Sequence, residues 1–238
     1  MAIGKEVTEL MEKIGYDFYD LSYLDQAMTH SSYTNEQRVR GILAPSNERL
    51  EFLGDAVLQI AISQYLYENY KNFREGALTK MRQRLVCEKT LAKIAGELCL
   101  GDYLNIGHGE EQNGCRNRPK ILADALEALI GAIYLDSHKE NTDVLYSVVL
   151  RLFSDEIKKE SVMQKTDYKT MLQQLTEGDG SALLEYRILS ENGPEHDKTF
   201  EVAAYVNNNE VGRGVGATKK EAEMQAAKIA LSLFGVLI

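Results

Sequence analysis

The sequence predicts an all-α domain followed by a small α+β domain, and three observations carry this. Apolar residues recur at helical spacing from about residue 5 to residue 159. A polar stretch, Lys158-Lys159-Glu160-Ser161-Val162-Met163-Gln164-Lys165-Thr166, then has the composition of a short linker. Beyond it the period shortens to two, as in β-strands.

In order, helices are expected over 5–13, 21–33, 46–70, 76–99, 119–136 and 141–159. The breaks are Gly15-Tyr16-Asp17, Gly41 to Pro45, Lys71-Asn72-Phe73 and the long stretch from Gly101 to Pro119. Ser46 or Asn47 can cap the third helix. After the join, Asp167 to Thr176 reads as a helix, and Glu185–Ser190 and Thr199–Val206 alternate as strands around an Asn192-Gly193-Pro194 turn. Glu210 to Gly216 is a third strand ending in glycines, and Lys219 to Phe234 an Ala-rich amphipathic helix. The expected division is a helical domain at 1–160, a linker at 161–166 and an α-β-β-β-α domain at 167–238.

The 238 residues, 44% of them hydrophobic, can bury a substantial core, and no apolar run is long enough to span a bilayer. The start, Met1 to Glu6, lacks the basic-then-apolar layout of a signal peptide. Three cysteines without CxxC spacing argue against a disulfide framework or a cysteine zinc site, so a reducing compartment is expected. The net charge of −9 taken alone argues against nucleic acid. Local distribution can override that sum.

The helix expected over 46–70 carries Glu48, Glu51 and Asp55 in one narrow stripe, with Leu50, Leu53, Val57 and Ile60 on the opposite side. Like charges at this spacing repel, so the stripe either faces water or faces a cation. Further along, Leu58 and Ile62 extend the same stripe as apolar residues, which favours a cation at the lip of a core. Asp124 and Glu127 share a face of the helix expected over 119–136, among small alanines that let another helix pack close. Either acidic group alone reads as a solvated helix face. If the two helices pack together, Glu51, Asp55, Asp124 and Glu127 converge, and four hard oxygens suit Mg²⁺ or Mn²⁺ rather than zinc. No Ser/His/Asp or Cys/His arrangement points to a protein nucleophile.

Asn47-Glu48-Arg49-Leu50-Glu51-Phe52-Leu53-Gly54-Asp55-Ala56-Val57 resembles the signature motif of ribonuclease III, and Ala123 to Ala132 its second acidic motif. Thr29-His30-Ser31-Ser32-Tyr33 and Glu75 to Arg82 match two further blocks, and the tail resembles a double-stranded-RNA-binding domain. The resemblance implies that Glu51, Asp55, Asp124 and Glu127 bind catalytic Mg²⁺, for which Mn²⁺ can substitute, with Glu127 most directly tied to hydrolysis. It implies that Glu48 and Glu75 line the same valley, and that Phe52 enters the partner of a homodimer, where composition alone would make it a core residue. It also implies a cytoplasmic enzyme cutting double-stranded RNA in ribosomal RNA maturation and messenger turnover. The products implied are 5′-phosphates, 3′-hydroxyls and two-nucleotide 3′ overhangs. Two departures stand out: Cys115 replaces a usual Gly, and Lys120 replaces a Ser that could cap the second acidic helix.

In the tail, Lys219 and Lys220 open a helix behind the glycine-rich strand and suit phosphates, together with free N–H groups at the helix start. Thr170 and Gln173 suit 2′-hydroxyls, and His196 lies on the loop placed towards the minor groove. The bland alternatives are a solvated lysine pair and a plain loop histidine. Residues 166–238 hold seven basic against eleven acidic residues, so positive charge has to concentrate on one edge. A non-catalytic RNA-binding scaffold is the rival reading, disfavoured because all four proposed ligands are present. A helical metal-storage protein would want Glu-x-x-His pairs, which these helices lack.

Overall fold

A computed structural model describes residues 2–71, 73–137, 142–166, 168–176, 183–194 and 198–236, except the side chains of 2–6, 142, 161–166 and 174. The chain divides into two compact units, 1–157 and 158–238.

The first unit is helical. Its long elements are α1 (Ala2–Ile14), α2 (Leu21–Ala27), α3 (Ser31–Val39), α4 (Glu48–Asn69), α5 (Glu75–Leu85) and α6 (Glu88–Glu97). Two short helices, α7 (Leu100–Tyr103) and α8 (His108–Gln112), and a 3₁₀ turn at Cys115–Asn117 lead to α9 (Pro119–Ser137) and α10 (Thr142–Leu152); α11 (Ser154–Thr166) begins in this unit and continues into the second. The centre of this unit is α9. Leu126, Leu129, Ile130 and Ile133 are fully buried, as are Ala125, Ala128 and Ala132. Each of the larger side chains contributes about 1.5–3 kcal/mol by leaving water. The small ones let α4, α6 and α2 approach from several sides.

Three expected helices are each two. The stretch expected at 21–33 breaks at Thr29, which forms a parallel bridge with Asn105, and His30 Nδ1 then caps α3 by accepting from Ser32 N at 3.2 Å. The stretch at 76–99 breaks at Val86–Cys87, where Thr90 Oγ1 donates to Arg84 O at 2.8 Å. The stretch at 141–159 breaks at Phe153, and the segment 161–166, expected as a linker, is helical and continuous with α11. Lys, Glu, Gln and Met are good helix formers, so a polar composition there did not mean irregular backbone. Asn47 sits at the start of α4 without a side-chain cap; it is buried, and Ser46 Oγ donates to Glu48 instead.

The second unit holds α12 (Tyr168–Thr176), an antiparallel sheet in the order β1 (Leu184–Asn192), β2 (Thr199–Val206), β3 (Asn209–Gly216), and α13 (Lys219–Leu233). Asn207 and Asn208 both have positive φ, which makes the tight turn between β2 and β3. A Cβ on Gly212 or Gly214 would stand 2.3 Å from backbone atoms of α13. The glycines of β3 therefore serve helix-on-sheet packing.

Candidate active site

Two glycines bring the acidic helices together. A Cβ on Gly54 of α4 would lie 1.8 Å from the carbonyl oxygen of Glu127 on α9, and one on Gly131 would lie 2.4 Å from that of Leu50. The two main chains touch, one turn from the acids on each helix. One carboxylate oxygen from each of Glu51, Asp124 and Glu127 falls within 4.8 Å of the others.

The electrostatics follow from this crowding. Burial, then repulsion from Asp55, Glu51 and Asp124, pushes Glu127 up to about 7. Glu51 is raised for the same reasons, burial first and Asp124 next. Three half-buried carboxylates facing one another form an all-oxygen donor set that a hard dication neutralises, so the residues present fit Mg²⁺ or Mn²⁺.

Asp55 is not among the three that meet. Its carboxylate accepts from Gln59 Nε2 at 2.9 and 3.1 Å, one turn further along α4, yet it remains close enough to raise Glu127. Glu48 is exposed and accepts from Ser46 Oγ at 3.0 Å, and Glu75 is exposed at the start of α5 and accepts from Thr79 Oγ1 at 2.8 Å. Neither belongs to the three-acid group.

The sequence passed over two neighbours. Gln59 orients Asp55. Lys120, read as a lost cap, lies inside the first turn of α9, because the helix opens one residue earlier on Pro119, a residue suited to that position. Its Nζ stands 3.4 Å from Asp124, which raises the lysine and draws it to the rim of the acidic cluster. The spacing of Lys120 and Asp124 at i, i+4 was the available signal. The loop containing Cys115 is held by Arg116, which donates to Leu104 O at 2.8 Å and to Glu111 at 2.5 and 3.0 Å, so the buried cysteine is accommodated.

Phe52, Ile60 and Tyr67 of α4 are 81%, 68% and 75% exposed, so Ile60 does not join the core as its position in the pattern suggested. In the second unit, Lys219 reaches Glu191 at 3.0 Å and stands over the Phe200 ring, and Lys198 is 4.0 Å from the same Glu191. Lys220 is exposed beside it. Arg187 and Arg213 lie elsewhere, on the sheet, paired with Glu185, Glu201 and Glu210. Three basic residues, Lys198, Lys219 and Lys220, thus lie at the β1–β2 hairpin end and the start of α13, two of them beside Glu191. The N–H groups there are partly spent: Glu221 N donates to Thr218 Oγ1 and Ala217 N to Glu221 Oε2. Thr170 is half-buried and Gln173 exposed on α12, and His196 lies outside the described residues.

Acids converging between two touching helices, in a chain that also carries a small α-β-β-β-α module with exposed lysines, are the features of a nuclease joined to an RNA-binding module. Comparison with known proteins specifies the class. Residues 20–155 match the family model for ribonuclease-III-like domains, and 168–233 that for the double-stranded RNA binding motif. Ribonuclease 3 of Natranaerobius thermophilus is 47% identical over 96% of this chain and 97% of its own length. Ribonuclease 3 of Listeria welshimeri is 44% identical over 94% and 96%. A solved nuclease domain of ribonuclease III from Campylobacter jejuni is 41% identical, with a TM-score of 0.55, over 62% of this chain and 95% of that one. The chain belongs to the ribonuclease III family. It is an endoribonuclease specific for double-stranded RNA.

Proposed function

We propose that this enzyme hydrolyses phosphodiesters of duplex RNA at a Mg²⁺ centre held by Glu51, Asp124 and Glu127, with Asp55 completing the donor set. The convergence of the first three within 4.8 Å is the observation that carries this reading. A bound dication activates water and neutralises charge on the phosphoryl group. The chain's own residues prepare the site. Burial of Glu127 and Glu51 makes their full ionisation costly without a cation. Gln59 holds Asp55 at the edge, and Lys120 stands 3.4 Å from Asp124 and offsets the repulsion that raises Glu127 and Glu51. Glu48 and Glu75 add negative charge at the rim.

The products proposed are 5′-phosphate and 3′-hydroxyl ends with two-nucleotide 3′ overhangs, which requires paired active sites. A homodimer supplies them, and Phe52, exposed on α4, is the residue proposed to enter the partner. The solved Campylobacter jejuni nuclease domain has a region involved in dimer formation, which supports this reading. Lys219, Lys220, Thr170, Gln173 and His196 are proposed to hold the duplex, and precursors of ribosomal RNA and structured messengers are the proposed substrates. No described helix is long and apolar enough to cross a membrane, and a cytoplasmic location is proposed.

The decisive test is Glu127→Gln. RNA affinity should persist while cleavage in Mg²⁺ falls by several orders of magnitude. Turnover near that of the unchanged enzyme removes Glu127 from the site. Light scattering should report a dimer that Phe52→Ala weakens, with cleavage lost in parallel.

A further inference from the structure

We infer that Arg82 is a further substrate-positioning residue, gripping a backbone phosphate that flanks the scissile one. The inference rests on the proposed acidic centre.

Arg82 lies on α5 and is half-buried. Its Nη1 donates to Ser63 Oγ at 3.0 Å, and Ser63 Oγ in turn donates to Gln59 O at 2.6 Å. Gln59 is the residue whose side chain holds Asp55. Arg82, Ser63, Gln59 and Asp55 line one open cleft of about 670 Å³, together with Ile60 and Tyr67. Glu68 and Glu75 border the adjoining cleft that Arg82 also lines, yet no carboxylate of the described residues comes within ion-pairing distance of the guanidinium.

The guanidinium of this half-buried residue carries five N–H donors, and among the described residues one of them has a protein partner. Its remaining donors line the cleft, and its planar fork fits phosphate oxygens in pairs. Asp55 and Ser63 are two turns apart on α4, about 12 Å. Arg82 is therefore too far along to meet the phosphate held at the acids, and a neighbouring phosphate of the same duplex is its counterpart. The acidic centre repels RNA when it stands alone, and a cation further along the same cleft offsets that repulsion and fixes the register of the strand.

The test uses full-length protein in the cleavage-silent Glu127→Gln background, with a fluorescent RNA duplex in Mg²⁺ and a salt series. Adding Arg82→Ala should weaken binding about tenfold, the scale of a lost charged hydrogen bond. The slope of log affinity against log salt should fall by about 0.9, one neutralised phosphate. Arg82→Lys should keep the slope and most of the affinity. Ser63→Ala, which removes the anchor and leaves the charge, should stay within about twofold, since a neutral hydrogen bond is worth less. In the active enzyme Arg82→Ala should raise KM with kcat little changed. An unchanged salt slope overturns the proposal, as does Ser63→Ala behaving like Arg82→Ala, which would make the pair a structural brace. Light scattering that shows Arg82→Ala to be monomeric also overturns it, by assigning the guanidinium to a second copy. Cleavage by Glu127→Gln itself would instead sink the acidic centre and leave the Arg82 binding data standing.

Discussion

Glu127 is the residue whose surroundings most alter its chemistry. Its carboxyl titrates near 7 in the metal-free fold and near 4.5 as a free side chain, so the folded state holds the extra proton between those values. Stability must then fall as pH rises from about 4.5 to 7, because the unfolded chain ionises first. Metal-free protein should melt at a lower temperature at pH 8 than at pH 5.5, and Mg²⁺ should restore more at the higher pH. Glu127→Gln should flatten that dependence in calorimetry; an unchanged slope would place its origin elsewhere. Asp136 shows the opposite use of a carboxylate. Nearly fully buried, it accepts from Tyr16 OH at 2.7 Å, Tyr19 N at 2.8 Å and Asp20 N at 2.9 Å, fastening the α1–α2 connection to the end of α9. Asp136→Asn sets an amide donor against donors and should cost about 2 kcal/mol in urea unfolding, with the acidic centre untouched.

Among the elements, the α4–α9 contact governs the site. Gly54→Ala puts a methyl where the Glu127 carbonyl already stands, so the helices must separate. Overpacking of this kind costs about 1–3 kcal/mol. The sharper expectation is functional: the variant should stay folded by circular dichroism yet lose both its Mg²⁺-dependent rise in melting temperature and its cleavage. A Gly54→Ala enzyme that still responds to Mg²⁺ would show that the acids do not depend on that spacing. Much of this was legible in the sequence. The acids, the two helices and the strand order follow from periodicity and spacing. What was not legible depended on contacts distant in sequence. The break at Thr29 needs Asn105, and the hairpin glycines need α13. The turn of Asp55 towards Gln59 is a choice between competing partners that a helical wheel does not rank.

For the whole molecule, net charge and binding point in different directions. A chain at −9 attracts RNA weakly at long range, so its affinity must come from short-range contacts at a few cations. Glu191 tempers even these, by engaging Lys219 and standing near Lys198. Lys219→Ala with Lys220→Ala, measured in the Glu127→Gln background, should lower the salt slope by about 1.8 and remove most binding by the second unit. A slope that survives both changes would move the phosphate contacts off this edge.

The contact between the main chains of α4 and α9 also bears on which ion can work. Two backbones in contact set the closest approach of the helices, and moving them apart gives up the packing along α9. Mg²⁺ binds oxygen at about 2.0–2.1 Å and Ca²⁺ at about 2.3–2.6 Å. Admitting the larger ion by moving the helices apart would cost that packing, so its extra radius falls on the carboxylate rotamers and on the RNA. Ca²⁺ should therefore occupy the centre and support duplex binding while leaving the strand out of line for cleavage.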